Sequence, residues 1–454
     1  MFSLIVATDV NNGISLNGKI PWNCPEDMVH FKNTTTNHVC IMGRKTWDSL
    51  PSKYKPLPNR INVVLTRNQW SNENGFPDFI FSSIDDCVTY FSTNKKMYNG
   101  KKLFVIGGSE IYKQFLDNNL IYDIHATRIN EDYKCDKFIL YPRIKLISGV
   151  SLSENSIYSV YNTINLEEMT FLNLMRDIIE KGYGRSDRTG TGTISLFSRE
   201  LRFNLKNNNI PMMTTRPVSL KIVFEELMWI LRGQTNVNIL KEKNINIWDP
   251  NTTREFLDSV GLNALPEGDI GASYGFQMRH FGYDYIDCNQ DYTNKGFDQL
   301  ENVINLLKHN PYSRRILINL YNPTQLNKMA LPPCVYGYQF YVADGFLSCK
   351  LIQRSSDIAL AGSHNCASGA LLVHMLCCIT GLKPGELIWS PSDIHIYNNQ
   401  INSVLEQLKR NPKPFPILKI IKPPKDNNIL NFEFDHIQLL NYDPFTRIQF
   451  AMNA

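Results

Sequence analysis

One cysteine, Cys334, follows the rigid pair Pro332-Pro333 at the head of an alternating strand-like run, residues 335–341. A dozen residues further on, Gln353-Arg354-Ser355-Ser356-Asp357 supplies a guanidinium, two hydroxyls and a carboxylate on a second short strand. A thiol beside a cation ionises more readily, and the thiolate is the form that attacks carbon. Arginine with hydroxyls is also what a phosphate needs. A buried cysteine in a strand pair is the plainer reading. Two features argue past it: the prolines fix the thiol, and arginines upstream can converge on the same spot.

Those arginines are Arg188, in the glycine- and threonine-rich loop 187–193, and the pair Arg314-Arg315 just ahead of an apolar strand. The loop lacks the residue order of an ATP-binding phosphate loop. Adjacent arginines beside a serine suit dianion capture. Glu226 falls on the wide apolar face of a helix over 224–233, where a carboxylate is either paired or kept for acid–base work. Near the N-terminus, Pro25 opens a helix with Glu26 and Asp27 in its first turn, and Met28, Phe31 and Val29 give it an apolar face. Residues 103–106 read as a strand running into Gly107-Gly108-Ser109-Glu110 and a helix, an arrangement that suits phosphate, although a bare glycine pair also serves close packing.

These groups must be carried by more than one core, since 454 residues suit about three domains at roughly 150 residues each. Hydrophobic content of 43% and charged content of 20% are those of a globular chain. A net charge of +4 is too mild to argue for nucleic acid but suits small anionic substrates. The ten cysteines are scattered without a C-x-x-C pair, which points to a reducing compartment and to neither a disulfide scaffold nor a metal site. No secretory leader and no run of ~18 apolar residues is visible, so a cytoplasmic protein with no membrane contact is expected.

Residues 1–160 resemble dihydrofolate reductase. The carriers are Ile20-Pro21-Trp22, Asp27 with Phe31, Met42-Gly43-Arg44-Lys45-Thr46-Trp47, Pro56 to Arg60, and Val105 to Tyr112. The resemblance implies a mixed central sheet flanked by helices. It implies that Asp27, backed by Thr127, binds the pteridine and supports its protonation, that Phe31 packs on the ligand, and that Arg60 pairs with the glutamate tail. Ala7, Gly13, Gly18, Gly43, Arg44, Lys45, Thr46, Thr66, Arg67, Gly107, Gly108, Ser109, Glu110 and Ile111 are then the NADPH groove. Asn59 replaces the usual glycine before the tail-binding arginine, and asparagine tolerates the same left-handed backbone.

Residues 167–454, after a short connector at 161–166, resemble thymidylate synthase. The carriers are Ala330-Leu331-Pro332-Pro333-Cys334, Gln339 to Val342, and Gln353-Arg354-Ser355 with Asp357. The resemblance implies a mixed sheet packed on helices, and a homodimer through this domain in which Arg314 and Arg315 reach the partner's site. Cys334 is then the nucleophile toward dUMP, with Glu226 and Tyr274 managing protons. Arg188, Gln353, Arg354 and Ser355 would bind the nucleotide, Asn365 its uracil edge, and His395 and Tyr397 its sugar. Asp357, Trp248 and the terminal Ala454 would meet 5,10-methylenetetrahydrofolate.

Several positions depart from that family. Val335 stands where a histidine follows the nucleophile, Ala361-Gly362-Ser363-His364 replaces residues that approach the folate, and Asn251 replaces a tryptophan. A histidine lost at 335 and gained at 364 near one ligand suggests that His364 partly replaces the missing ring. Two rival readings of the second half are a nucleotide hydroxymethylase, disfavoured by Asn365, and a weak nucleotide or RNA binder that mainly dimerises the first. No glycine- or serine-rich linker separates the halves, so a tight fusion is expected.

Overall fold

The computed structural model describes residues 1–70, 75–98, 100–187 and 189–452; Arg188 and Ala454 lie outside the described residues. The chain forms two compact units. The first is Met1–Asn165 with Pro412–Phe415 and Leu440–Asp443, and the second is Leu166–Asn411, Pro416–Leu439 and Pro444–Ala454. The join is shorter than the expected 161–166. The last strand of the first unit continues to Thr163, whose hydroxyl donates to the Ile121 carbonyl at 2.7 Å, and the next helix begins at Leu166.

The first unit is built on an eight-stranded sheet of β1 (Phe2–Thr8), β2 (Val39–Gly43), β3 (Ile61–Leu65), β4 (Phe79–Phe81), β5 (Leu103–Gly107), β6 (Ile121–Ile129), β7 (Ile144–Ser153) and β8 (Ser156–Thr163). Their order is β4-β3-β2-β5-β1-β6-β8-β7, parallel except for β8, which runs antiparallel to both neighbours. The central strands are near-continuous apolar runs, as sheets covered on both faces require. Trp47, Phe104 and Phe115 are buried in the cores beside the sheet. Helix α1 (Pro25–Thr35) begins at proline as expected. Its apolar face is not core, however: Met28 and Val29 are exposed and Thr35 is its one buried residue. A short helix, α2 (Arg44–Ser49), follows Gly43, and α3 (Ser109–Asp117) follows the glycine pair.

The second unit contains β9 (Tyr183–Arg185), β10 (Thr193–Phe197), β11 (Leu201–Asn204), β12 (Leu317–Asn319), β13 (Val335–Ala343), β14 (Phe346–Asp357) and β15 (Lys383–Tyr397). They run in the order β9-β10-β15-β14-β13-β12, with β11 also on β15; β14 and β15 are parallel and the other pairs antiparallel. Gln353 to Asp357 thus ends a twelve-residue strand and is not a short strand of its own. Against the sheet pack α4 (Leu166–Lys181), α6 (Tyr274–Arg279) and α7 (Ser363–Thr380), and α5 (Leu220–Leu231) packs on α6 and α7. Helix α7 is buried on nearly every side, as its all-round apolar sequence demands.

One buried carboxylate pins a turn of this unit. Glu168, on α4, accepts from the backbone N–H and hydroxyl groups of both Thr214 and Thr215 at 2.7–3.0 Å. Burial holds its pKa above the ordinary value, opposed by those same bonds. Glu168→Ala leaves four buried donors unmatched, so a loss of about 3 kcal/mol or more is expected, read as a lower denaturation midpoint for this unit.

Candidate active sites

In the second unit, strand pairing brings the nucleophile and its cation together. Val335 pairs with Gln353, and Arg354 N donates to the Cys334 carbonyl at 2.9 Å. The Arg354 side chain then turns back on the Pro-Pro-Cys segment. Its Nε donates to the Pro333 carbonyl at 3.0 Å and its Nη2 to the Pro332 carbonyl at 2.8 Å. The same Nη2 lies 3.8 Å from Cys334 Sγ. The prolines expose carbonyls without competing N–H groups, so they both orient the guanidinium and fix the half-buried thiol.

Cys334 N donates to Tyr274 Oη at 2.8 Å. Burial pushes the Tyr274 phenol well above its usual value, with the Cys334 thiol and Glu226 adding to the effect. The hydroxyl therefore stays protonated and retains its hydrogen for a ligand. Trp248 packs edge-on to Tyr274 at 5.6 Å and donates from Nε1 to Glu226 Oε1 at 2.9 Å. The other oxygen, Oε2, meets His364 Nε2 at 2.6 Å. A π-helical turn, Ile358–Gly362, leads into α7, and His364 and Asn365 both lie in its first turn.

Parallel pairing of β14 with β15 places Ser355 beside Asp393 and Asp357 beside His395. His395 Nδ1 lies 3.3 Å from Asp393 Oδ1, and its ring stands perpendicular to Tyr397. Asp357 accepts from Leu360 N at 2.9 Å and from Gln400 Nε2 at 2.8 Å. Burial raises its pKa, opposed by those two bonds and by His395 and Arg216. Gln400 also donates to the Ala451 carbonyl at 2.9 Å, and Arg216 packs on Phe450 while holding the Ala359 and Leu360 carbonyls. The C-terminal tail is thereby tied to Asp357. The Gln353 side chain is 1% exposed; it donates to the Ser355 carbonyl and accepts from Trp389 Nε1, bonds that hold it within the strand pair. Arg314 and Arg315 are exposed just before β12.

In the first unit the parallel strands β1, β2, β3 and β5 end on one edge of the sheet, where α/β sheets take ligands. Gly43, Thr46, Gly108 and Ile111 pack together there. A Cβ on Gly43 would lie 2.9 Å from Ile111, and one on Gly108 3.2 Å from Thr46 Oγ1. Gly107 takes φ +124°, and the Gly107–Gly108 peptide is cis. Closely packed glycine backbone leads into α3, with Ser109, Glu110 and Ile111 in its first turn. Arg44 ion-pairs with Asp48 and covers Trp70; Lys45 follows it on α2, while Thr66 and Arg67 follow the end of β3. Gly13 is pressed against Cys135, and Gly18, at φ +76°, is open. Ala7 lies on β1.

Asp27 is half-buried on α1. Burial raises its pKa, opposed by a hydrogen bond from Thr127 on β6 and by His30. Phe31, one turn on, lies under the Arg60 guanidinium at 6.0 Å. Arg60 is held by Thr35 Oγ1 and the Lys32 and Pro58 carbonyls, and the preceding Asn59 adopts φ +59°, the left-handed backbone expected of it. Sequence reasoning passed over Asp9, which accepts from the N–H groups of Asn11 and Gly13 at 2.9 and 2.7 Å and organises the loop after β1. It also passed over Glu168, Arg216 and Gln400.

Among the described residues no helix is long and apolar enough to cross a membrane, and no cluster of three metal-ligating side chains occurs. Family models match both halves: dihydrofolate reductase over residues 1–158 and thymidylate synthase over residues 169–454. Full-length relatives share the fusion. A rice protein named putative bifunctional dihydrofolate reductase-thymidylate synthase is 39% identical, covering 97% of this chain and 99% of its own. The Paramecium tetraurelia enzyme of that name is 39% identical over 99% of this chain and 98% of its own, and Arabidopsis thaliana form 2 is 38% identical over 99% and 88%. With both family models matched and full-length relatives sharing the fusion, the chain belongs to the bifunctional dihydrofolate reductase–thymidylate synthase family.

Proposed function

We propose that the second unit converts dUMP and 5,10-methylenetetrahydrofolate to dTMP and dihydrofolate, and that the first unit returns that dihydrofolate to tetrahydrofolate with NADPH. One observation carries most weight: the Arg354 guanidinium, bonded to the Pro332 and Pro333 carbonyls, lies beside Cys334 Sγ. The sulfur adds to C6 of the pyrimidine, which makes C5 nucleophilic toward the folate methylene. Arg354 and Ser355, with Arg188, hold the phosphate. Asn365 reads the uracil amide, because one amide offers both donor and acceptor. His395 and Tyr397 take the sugar hydroxyl. Glu226, Tyr274 and water move protons, while Trp248, Asp357 and Ala454 meet the folate.

A homodimer through the second unit supports this site. Tyr312, Leu317 and Tyr341 are exposed on and beside β12 and β13, an apolar surface next to Arg314 and Arg315. A two-fold partner would cover it and receive the two arginines at its own phosphate site. The absence of a disulfide among the described residues favours a reducing, cytoplasmic setting.

In the first unit Asp27 binds the pterin and passes it a proton, Thr127 orients Asp27, Phe31 packs on the ring and Arg60 takes the tail carboxylate. Gly43, Gly107 and Gly108 let the strand ends pack closely on Ile111, Tyr112 and Thr46, and the start of α3 that they frame suits a dinucleotide phosphate. When bound there, NADPH supplies the hydride. Ala7, Gly13 and Gly18 border it on one side, and Arg44 to Thr46, Thr66, Arg67 and Ser109 to Ile111 on the other.

Tritium release from 5-tritiated dUMP with methylenetetrahydrofolate, coupled to NADPH oxidation, tests both halves in one tube. Absence of release would leave the second unit a binding module. Gln400→Ala is expected to raise the KM for methylenetetrahydrofolate about tenfold and leave dUMP affinity unchanged. It frees Asp357 and the tail together while touching no nucleotide contact.

A further inference from the structure

Glu226 is held from both sides. Trp248 Nε1 donates to Oε1 at 2.9 Å, and His364 Nε2 lies 2.6 Å from Oε2. The pair is well enclosed, with 20% of the His364 side chain and 14% of the Glu226 side chain exposed. The ring is placed by rigid backbone. Asp357 caps Leu360 N, Arg216 grips the Ala359 and Leu360 carbonyls, and the buried helix α7 begins at Ser363. Gly362 fits only because a Cβ there would press on Ile358, Trp389 and Phe171 at 3.2–3.4 Å. Position 335, by contrast, holds a buried valine on β13 with no hydrogen-bonding side chain.

We propose that His364 is the positioning residue for Glu226 in the pyrimidine reaction, so that this chain supplies from α7 the imidazole it lacks after the nucleophile. An ionised carboxylate only accepts, so Nε2 carries the hydrogen. One donor per oxygen fixes the carboxylate plane, where Trp248 alone would leave rotation about the last side-chain bond. Proton-transfer groups need placement within about 0.5 Å. The ring acts through Glu226 and does not touch the pyrimidine. The inference rests on the role given above to Cys334 and Glu226.

The full-length dimer is used for the test, with His364→Phe, His364→Gln, Glu226→Gln and the Glu226→Gln/His364→Phe double variant. Phenylalanine keeps the ring and removes the donor; glutamine returns an N–H at similar reach. His364→Phe is expected to lower kcat for tritium release about 10- to 100-fold with dUMP affinity within about threefold. His364→Gln is expected to recover most of that rate. On the Glu226→Gln background His364→Phe should add less than about twofold, since the two act as one unit. The proposal is overturned if His364→Phe turns over like the parent, if its effect is undiminished without the Glu226 carboxylate, or if both His364 variants lose dUMP binding. Failure of the underlying function would look different: the parent chain itself would release no tritium.

Discussion

Cys334→Ala is expected to cut thymidylate formation at least about 10⁴-fold while dihydrofolate reduction by the same chain stays within about twofold. The loss falls on kcat because the substitution removes the attacking atom and little else. Arg354 remains bonded to the Pro332 and Pro333 carbonyls, and its N–H to the carbonyl of residue 334. Val335 remains paired with Gln353. The phosphate site is therefore intact, and dUMP should bind within a few-fold of the parent. Tritium release, dUMP binding and NADPH oxidation measured on one preparation check all three statements. Retention of more than about one hundredth of the tritium release would remove Cys334 as nucleophile.

Cys334 and Arg354 were readable from sequence because the two strands that carry them are consecutive and antiparallel, so proximity in sequence became proximity in space. Asp27 was readable because helix starts have local signatures, here Pro25 and two acids. The pairings that the sequence does not reveal act across long separations. Glu168 holds Thr214 and Thr215, Gln400 joins Asp357 to Ala451, and His364 meets Glu226 across 138 positions. No periodicity encodes such pairings; they exist only once the sheet order is set. Motif membership also leaves side-chain direction open: the alternation of β14 turns the Gln353 amide toward Trp389. Met28 and Val29 show the limit of hydrophobic patterning, which marks an apolar face without saying whether protein or ligand will cover it.

Asp27→Asn is expected to lower dihydrofolate reduction about 10²- to 10⁴-fold near neutral pH and to leave tritium release by the second unit unchanged. The parent's own pH dependence should share its origin. Burial raises the Asp27 pKa, against the opposing pull of Thr127 and His30, so the carboxyl keeps its proton to higher pH than an ordinary aspartate. A step that draws on that proton slows as pH climbs through the raised value, and the asparagine variant should lose this limb. Stability runs the same way. The folded protein holds the proton more tightly than the unfolded chain, so between the ordinary aspartate pKa of 3.8 and the raised one, increasing pH costs stability. Above that window the parent bears the full cost of a partly buried charge, which asparagine does not. Asp27→Asn should therefore unfold at an equal or higher temperature than the parent at neutral pH, while being far slower. A variant that is slower and also markedly less stable there would mean that Asp27 serves the fold, and the catalytic assignment for the first unit would have to be withdrawn.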